Sequence, residues 1–171
     1  NMFDDVRPLK GNESKFYDYL NHLDKTYEGK NQGWIKPLLK KWKQYTYWCL
    51  SFSDNNIIAF SAMQSHNMPE FTVRLLTRTW IDKSFRSVEI SKRQYTPVAN
   101  MLKHQLESFE IKHFKKAIIT LESHRSRHAI NYACKRYNDR IGSNFIPQKH
   151  KIKTWPTAKP EEYQWYASMD L

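Results

Sequence analysis

A chain of 171 residues with 40% hydrophobic and 15% aromatic content holds enough apolar material for one packed domain spanning 1–171, which excludes wholesale disorder and leaves little room for a second domain. Its 28 Lys and Arg against 17 Asp and Glu give a formal charge of +11, an excess that attracts polyanions: nucleic acid, an anionic membrane surface or a phosphorylated cofactor. No apolar run approaches the roughly 20 residues that cross a bilayer, and the opening Asn1-Met2-Phe3-Asp4-Asp5-Val6 carries no export signal.

The elements follow in chain order. Asp5 to Leu9 reads as a short strand closed by Pro8 and Gly11. Asn12 is a helix-capping residue, and Phe16, Leu20, Leu23 and Tyr27 then recur at helical spacing until Gly29. Gly33 restarts the chain into a second helix, with Trp34, Leu38, Trp42 and Tyr45 on one stripe and Lys36, Lys40 and Lys43 opposite. Two strands, Tyr47 to Ser53 and Ile57 to Ser65, flank the turn Asp54-Asn55-Asn56 as a hairpin. Phe71, Val73, Leu75, Thr77, Thr79 and Ile81 alternate as the longest strand, with Arg74, Arg78 and Trp80 on a mixed second face that suggests a cleft or solvent.

Beyond the polar stretch Asp82 to Tyr95, Thr96-Pro97 has the form of a helix start, a capping hydroxyl before a proline. Val98, Leu102, Leu106 and Phe109 would face the core of that helix, with Gln105 beside Leu106. Ala117 to Leu121 is an apolar run suited to a strand covered on both faces. Ser126 can cap the next helix, whose inner face would hold Ala129, Ile130, Ala133, Cys134 and Tyr137. A short strand is expected at Ser143 to Ile146, a basic loop from Pro147 to Pro160, and a last strand from Tyr163 to Met169. Cys49 and Cys134 match no metal spacing and lie among apolar neighbours, so they read as buried free thiols in a reducing, cytoplasmic setting.

The resulting α/β order, β-α-α-β-β-β-α-β-α-β-β, resembles the GNAT N-acetyltransferase fold, a mixed central sheet with helices on both faces. Local sequence adds to this. Ile118-Ile119-Thr120-Leu121-Glu122 followed by Ser126-Arg127-His128-Ala129-Ile130 resembles the family's strand and its Asn-x-x-Ala-Ile helix, with Ser126 in the Asn position. The resemblance implies transfer of an acetyl group from acetyl-coenzyme A to an amine. It places Glu122 where a general base could act, directly or through water; the alternative is a strand-end carboxylate paired with Arg125 or Arg127. The tyrosine that protonates the coenzyme A thiolate in the family would fall on Ala133; Tyr132 and Tyr137 are its neighbours, and Tyr137 is the candidate carried forward.

The chain departs from the family at the cofactor loop. Its (Gln/Arg)-x-x-Gly-x-(Gly/Ala) turn lets backbone amides approach the pyrophosphate, yet Asp82 to Thr96 contains no glycine. Coenzyme A phosphates would then depend on side chains: Arg86 and Ser87, Lys92 or Arg93, the start of a helix at Thr96, and Ser126. Two other functions stay open, a GNAT-like binding protein without catalysis and a nucleic-acid-binding module. The latter draws on Lys36–Lys43 and on Lys149-His150-Lys151-Ile152-Lys153-Thr154-Trp155. His124 and His128 have a metal-ligand spacing, but no Glu or Cys accompanies them and no metal is expected.

Overall fold

The computed structural model describes residues 5–85, 91–120, 132–136, 138, 148–153 and 163–171. Its elements are β1 (Asp5–Pro8), α1 (Glu13–Asp24), α2 (Tyr27–Gln32), α3 (Ile35–Lys41), β2 (Tyr47–Ser53), β3 (Asn56–Gln64), β4 (Thr72–Ile81), α4 (Ser91–Leu106), β5 (Lys116–Thr120), β6 (Gln148–Lys153) and β7 (Tyr163–Asp170). Among the described residues the strands form one seven-stranded sheet in the order β1-β2-β3-β4-β5-β7-β6. β2, β3 and β4 are antiparallel neighbours, β5 lies parallel to β4, and β7 runs antiparallel to both β5 and β6.

The β2–β3 hairpin forms where its turn residues direct it. Asp54 and Asn55 have φ of 50° and 63°, and Asp and Asn tolerate this left-handed region better than other non-glycine residues. The apolar pattern then covers both faces of the sheet. Phe16, Leu20, Leu23, Ile35 and Leu38 from α1 and α3 pack on Trp48, Leu50, Phe52, Phe60 and Trp80. On the other face, Val98, Ala99 and Leu102 of α4, with Ala133 and Cys134, cover Val73, Leu75, Ala117, Ile119 and Met169. Each fully buried Leu or Phe contributes roughly 1.5–3 kcal/mol, so these two layers are the main source of stability. Both cysteines are free and buried.

Several expectations need correction. The helix begun near Asn12 stops at Asp24, and Tyr27 stands 81% exposed in the separate helix α2. The reason lies at Thr26, whose hydroxyl accepts from the Gly29 amide at 3.1 Å and donates to the Leu23 carbonyl at 2.7 Å. Gly29 is therefore inside a helix rather than beyond one; Gly33, at φ 71°, ends α2. Asn12 makes no capping bond to α1, and its amide donates instead to the Pro8 carbonyl at 3.1 Å.

The helix expected to start at Thr96 begins at Ser91, which puts Thr96 and Pro97 inside α4. An interior proline costs up to about 3 kcal/mol, but Pro97 removes a single ladder bond, and the amides of Val98, Ala99 and Asn100, held where these buried residues pack, still bond the carbonyls of the turn before it. The basic segment expected as a loop is strand β6 where it is described, hydrogen-bonded along β7. The strand expected at 143–146 and the start of the helix at Ser126 lie outside the described residues; positions 132–136 are helical.

Gly29 supplies a stability test. A Cβ there would lie 1.9 Å from the Leu23 carbonyl oxygen and 2.6 Å from its carbon. Gly29→Ala should lower the free energy of unfolding by about 1–3 kcal/mol, the range for forced overpacking, in a urea titration.

Candidate functional site

The long strand β4 departs from simple alternation. Ala62 pairs with Thr77, while the next pairs on either side are Phe60 with Trp80 and Gln64 with Arg74. Met63 thus faces both Leu75 and Leu76, and Ser61 faces both Arg78 and Thr79. Each extra residue is a bulge that bends the strand and turns the following side chains over. The two reversals cancel, so Thr77 is brought onto the face of Ala62 while Trp80 keeps the face of Arg74, as expected; that face is not open at Trp80, which is buried beside Phe60 of β3 and against Trp34. Phe71, expected in the strand, precedes it, exposed at φ 56°.

The bulges coincide with a split in the sheet. β4 pairs with β5 only at Thr72–Lys116, Val73–Ala117 and Arg74–Ile118. From Leu75 onward no strand lies on that side of β4 among the described residues. β5 instead continues alongside β7, through Ile119–Ala167 and Thr120–Tyr166. Peptide groups on such an edge need hydrogen-bond partners, and an extended ligand bearing its own amides meets that need.

Strain is concentrated in the same stretch. Leu76 and Arg78 both have φ of 50°, a conformation that costs a non-glycine residue on the order of 1–3 kcal/mol. A buried polar network holds it in place. The Gln105 side chain, fully buried on α4, accepts from the Leu76 amide at 3.0 Å and donates to the Cys49 sulfur at 3.7 Å. Ser61 and Thr79 share a 2.8 Å hydrogen bond, and the Thr79 hydroxyl donates to the Leu76 carbonyl at 2.7 Å. Burial pushes the Cys49 thiol up to about 12, so it stays protonated and serves as a structural group rather than a nucleophile. Sequence reasoning placed Gln105 next to the core face of α4 and gave it no role; a glutamine within a core stripe was the available signal.

A second polar pair lies elsewhere. Tyr47 Oη and His104 Nε2 share a 2.6 Å hydrogen bond, with the rings stacked at 5.8 Å. Tyr47 pairs with Met63, which faces Leu75 and Leu76, where the split begins. The pair is therefore level with the start of the split, two strands away from it. Burial lowers the His104 pKa below 6.5, opposed by Glu107 and Glu110 and assisted by Lys103. Burial also pushes Tyr47 up to about 12.

Of the residues singled out from sequence, Arg86, Ser87, Glu122, Ser126 and Tyr137 lie outside the described residues, as do His124 and His128. Thr96 is in the interior of α4, so it does not form a helix start for an anion. Ala133, at the position of the family's tyrosine, is buried. Tyr132 beside it accepts a 3.1 Å hydrogen bond from Arg136.

No protein-family model matches the sequence, and no curated protein resembles it closely enough to count as a match. Solved structures do match in shape. A candidate GNAT-family acetyltransferase from Desulfovibrio desulfuricans superposes with a TM-score of 0.53 at 9% identity, covering 97% of this chain and 98% of that one. A candidate acyl-CoA N-acyltransferase from Klebsiella pneumoniae gives 0.52 at 11% identity, covering 98% and 97%. An N-acetyltransferase from Staphylococcus aureus gives 0.50 at 11% identity, covering 97% of each chain. The chain has the GNAT fold. Within this GNAT fold, the opening between β4 and β5 and the bulged stretch beside it form the candidate site.

Two measurements test this reading of the polar groups. Gln105→Leu keeps the volume but strands the Leu76 amide, so urea unfolding should show a loss of about 1–3 kcal/mol. For His104 the folded pKa lies below the unfolded one, so the unfolded chain takes up the proton first. Its contribution is complete above about pH 6.5 and is lost as the pH falls through that value. The urea midpoint should drop between about pH 7 and 5, and the drop should shrink in His104→Asn.

Proposed function

We propose that the protein is an N-acyltransferase, taking an acyl group from acyl-coenzyme A and delivering it to an amine. The observation that carries this reading is the edge of β4 from Leu75 to Ile81, unpaired by strand among the described residues and bent by two bulges, in a GNAT fold. The pantetheine arm of coenzyme A contains amides, which suit the donors and acceptors of such an edge. With no glycine between Asp82 and Thr96, the phosphates would be held by Arg86, Ser87 and Ser126. The start of α4 at Ser91 replaces Thr96 as the helix end that favours negative charge.

The coenzyme, when bound, supplies an activated thioester. The chain's own task is to present a neutral amine to it and to manage protons. Glu122 would remove the ammonium proton of the acceptor, directly or through one water, and Tyr137 would provide a proton for the departing sulfur. Acid–base groups of this kind contribute typically 10²–10⁴-fold to rate.

The lack of glycine in the cofactor loop favours a second reading, a GNAT-fold binding protein without catalysis, and one titration separates the two. Acetyl-coenzyme A should bind the purified protein in calorimetry and raise its melting temperature. Arg86→Ala should weaken that binding by about 1.5–3 kcal/mol, the scale of a hydrogen bond to a charged group. Glu122→Gln should bind the coenzyme as before and slow thiol release by about 10²-fold or more. Absence of binding in the unaltered protein would select the non-catalytic reading.

A further inference from the structure

Arg78 stands inside the open stretch of β4, and its surroundings are those of a prepared anion site. Its backbone is left-handed at φ 50°, yet the residue is an exposed arginine rather than glycine or asparagine. Strain at a ligand-facing strand is a pointer to function. The side chain is directed rather than loose. Its Nε donates to Tyr45 Oη at 2.9 Å, and its guanidinium carbon lies 5.7 Å from the Trp34 ring centroid. Those supports are themselves fixed: Trp34 packs edge-on against Phe60 and Trp80, and Tyr45 against Trp48.

Among the described residues the guanidinium has no anionic partner. Arg7 offers a contrast, since it also lies over an aromatic ring, Phe52, but is neutralised by Asp5 at 2.6 Å. No carboxylate of the described residues pairs with Arg78. A guanidinium has five N–H donors in a rigid fork, and the Tyr45 bond uses one. Lys36, Lys40, Lys41 and Lys43, all exposed on or just after α3, add positive field on the same helical layer. A cationic polyamine would be repelled here, whereas a carboxylate or phosphate would gain a charge-assisted, two-point contact.

We propose that Arg78, positioned by Tyr45 and Trp34, is the binding residue for an anionic group on the acceptor amine, so that the acceptor class is a carboxylate- or phosphate-bearing amine. The assignment deepens the acyltransferase reading and rests on it for the word acceptor; the anion subsite itself is testable without acyl transfer.

The test is calorimetric titration with O-phosphoethanolamine and with β-alanine, which separate phosphate from carboxylate, and with ethanolamine as the matched amine lacking an anion. At least one anionic amine should bind the unaltered protein and ethanolamine should not. Arg78→Gly removes the guanidinium where glycine accepts the backbone angle without cost, so the variant should fold; its affinity should fall by about tenfold or more. Arg78→Lys should recover part of the loss, and Tyr45→Phe should weaken binding with the guanidinium still present. Lys112→Ala, a charge removed on the segment before β5, should change nothing. Equal binding of ethanolamine, unaltered binding by Arg78→Gly, no binding of either anionic probe, or an equal loss in Lys112→Ala would each overturn the proposal. A parallel acetyl-coenzyme A titration separates the two failures: anion binding that depends on Arg78 without coenzyme binding keeps the subsite and removes the acyltransferase reading. Coenzyme binding without it does the reverse.

Discussion

The hydrogen bond from the Leu76 amide to the Gln105 side chain is the constraint on which the centre of the molecule depends. At a bulge, a backbone amide leaves the ladder and loses its partner. Buried and unpaired, such a group would cost about 1–3 kcal/mol in addition to the strain of a left-handed leucine. Gln105 removes the first cost, and the Ser61–Thr79 pair secures the neighbouring carbonyl. The bulge is then a stable feature of the fold, anchored through α4 to Cys49 on β2.

The rest of the site follows from that anchored bend. With β4 bent at Leu75–Leu76 and again at Arg78–Thr79, its later half diverges from β5, which continues beside β7. The same two insertions decide which side chains face which layer. Between them Thr77 comes onto the face of Ala62, and beyond them Trp80 lies on that same face under α1 and α3, with Arg78 reaching Tyr45 and Trp34. Opening the sheet and choosing what lines it are thus two results of one local irregularity.

Much of the architecture was legible in the sequence because its signals are local. The Asp54-Asn55 turn, the apolar stripe of α1 and the run at Ala117–Ile119 each carry their own physical cause, and all appear in place. The errors arose where groups outside the motif decide. Thr96-Pro97 has the chemistry of a helix start, but the amides just beyond the proline still bond the turn before it, and the helix runs from Ser91. Gly29 has the chemistry of a stop, but a hydroxyl of Thr26 draws it into α2. Bulges cannot be read from one strand at all, since they are defined by the strand opposite. For that reason the alternation at residues 71–81 grouped Thr77 with Val73 and Leu75 rather than with the face of Ala62, and Gln105 was left without a role.

The corrected assignment of the basic segment 148–153 has a consequence for solubility. Among the described residues β6 is the last strand of the sheet and β1 the first, and the rim of any open sheet is a template on which another chain can add. Lysine at every second position of β6, at 149, 151 and 153, makes that rim a poor template, because a stacked copy would bring like charges together. The opposite rim is only four residues long and ends in Pro8, which has no amide to offer. A seven-stranded sheet is in this way guarded at both margins against aggregation.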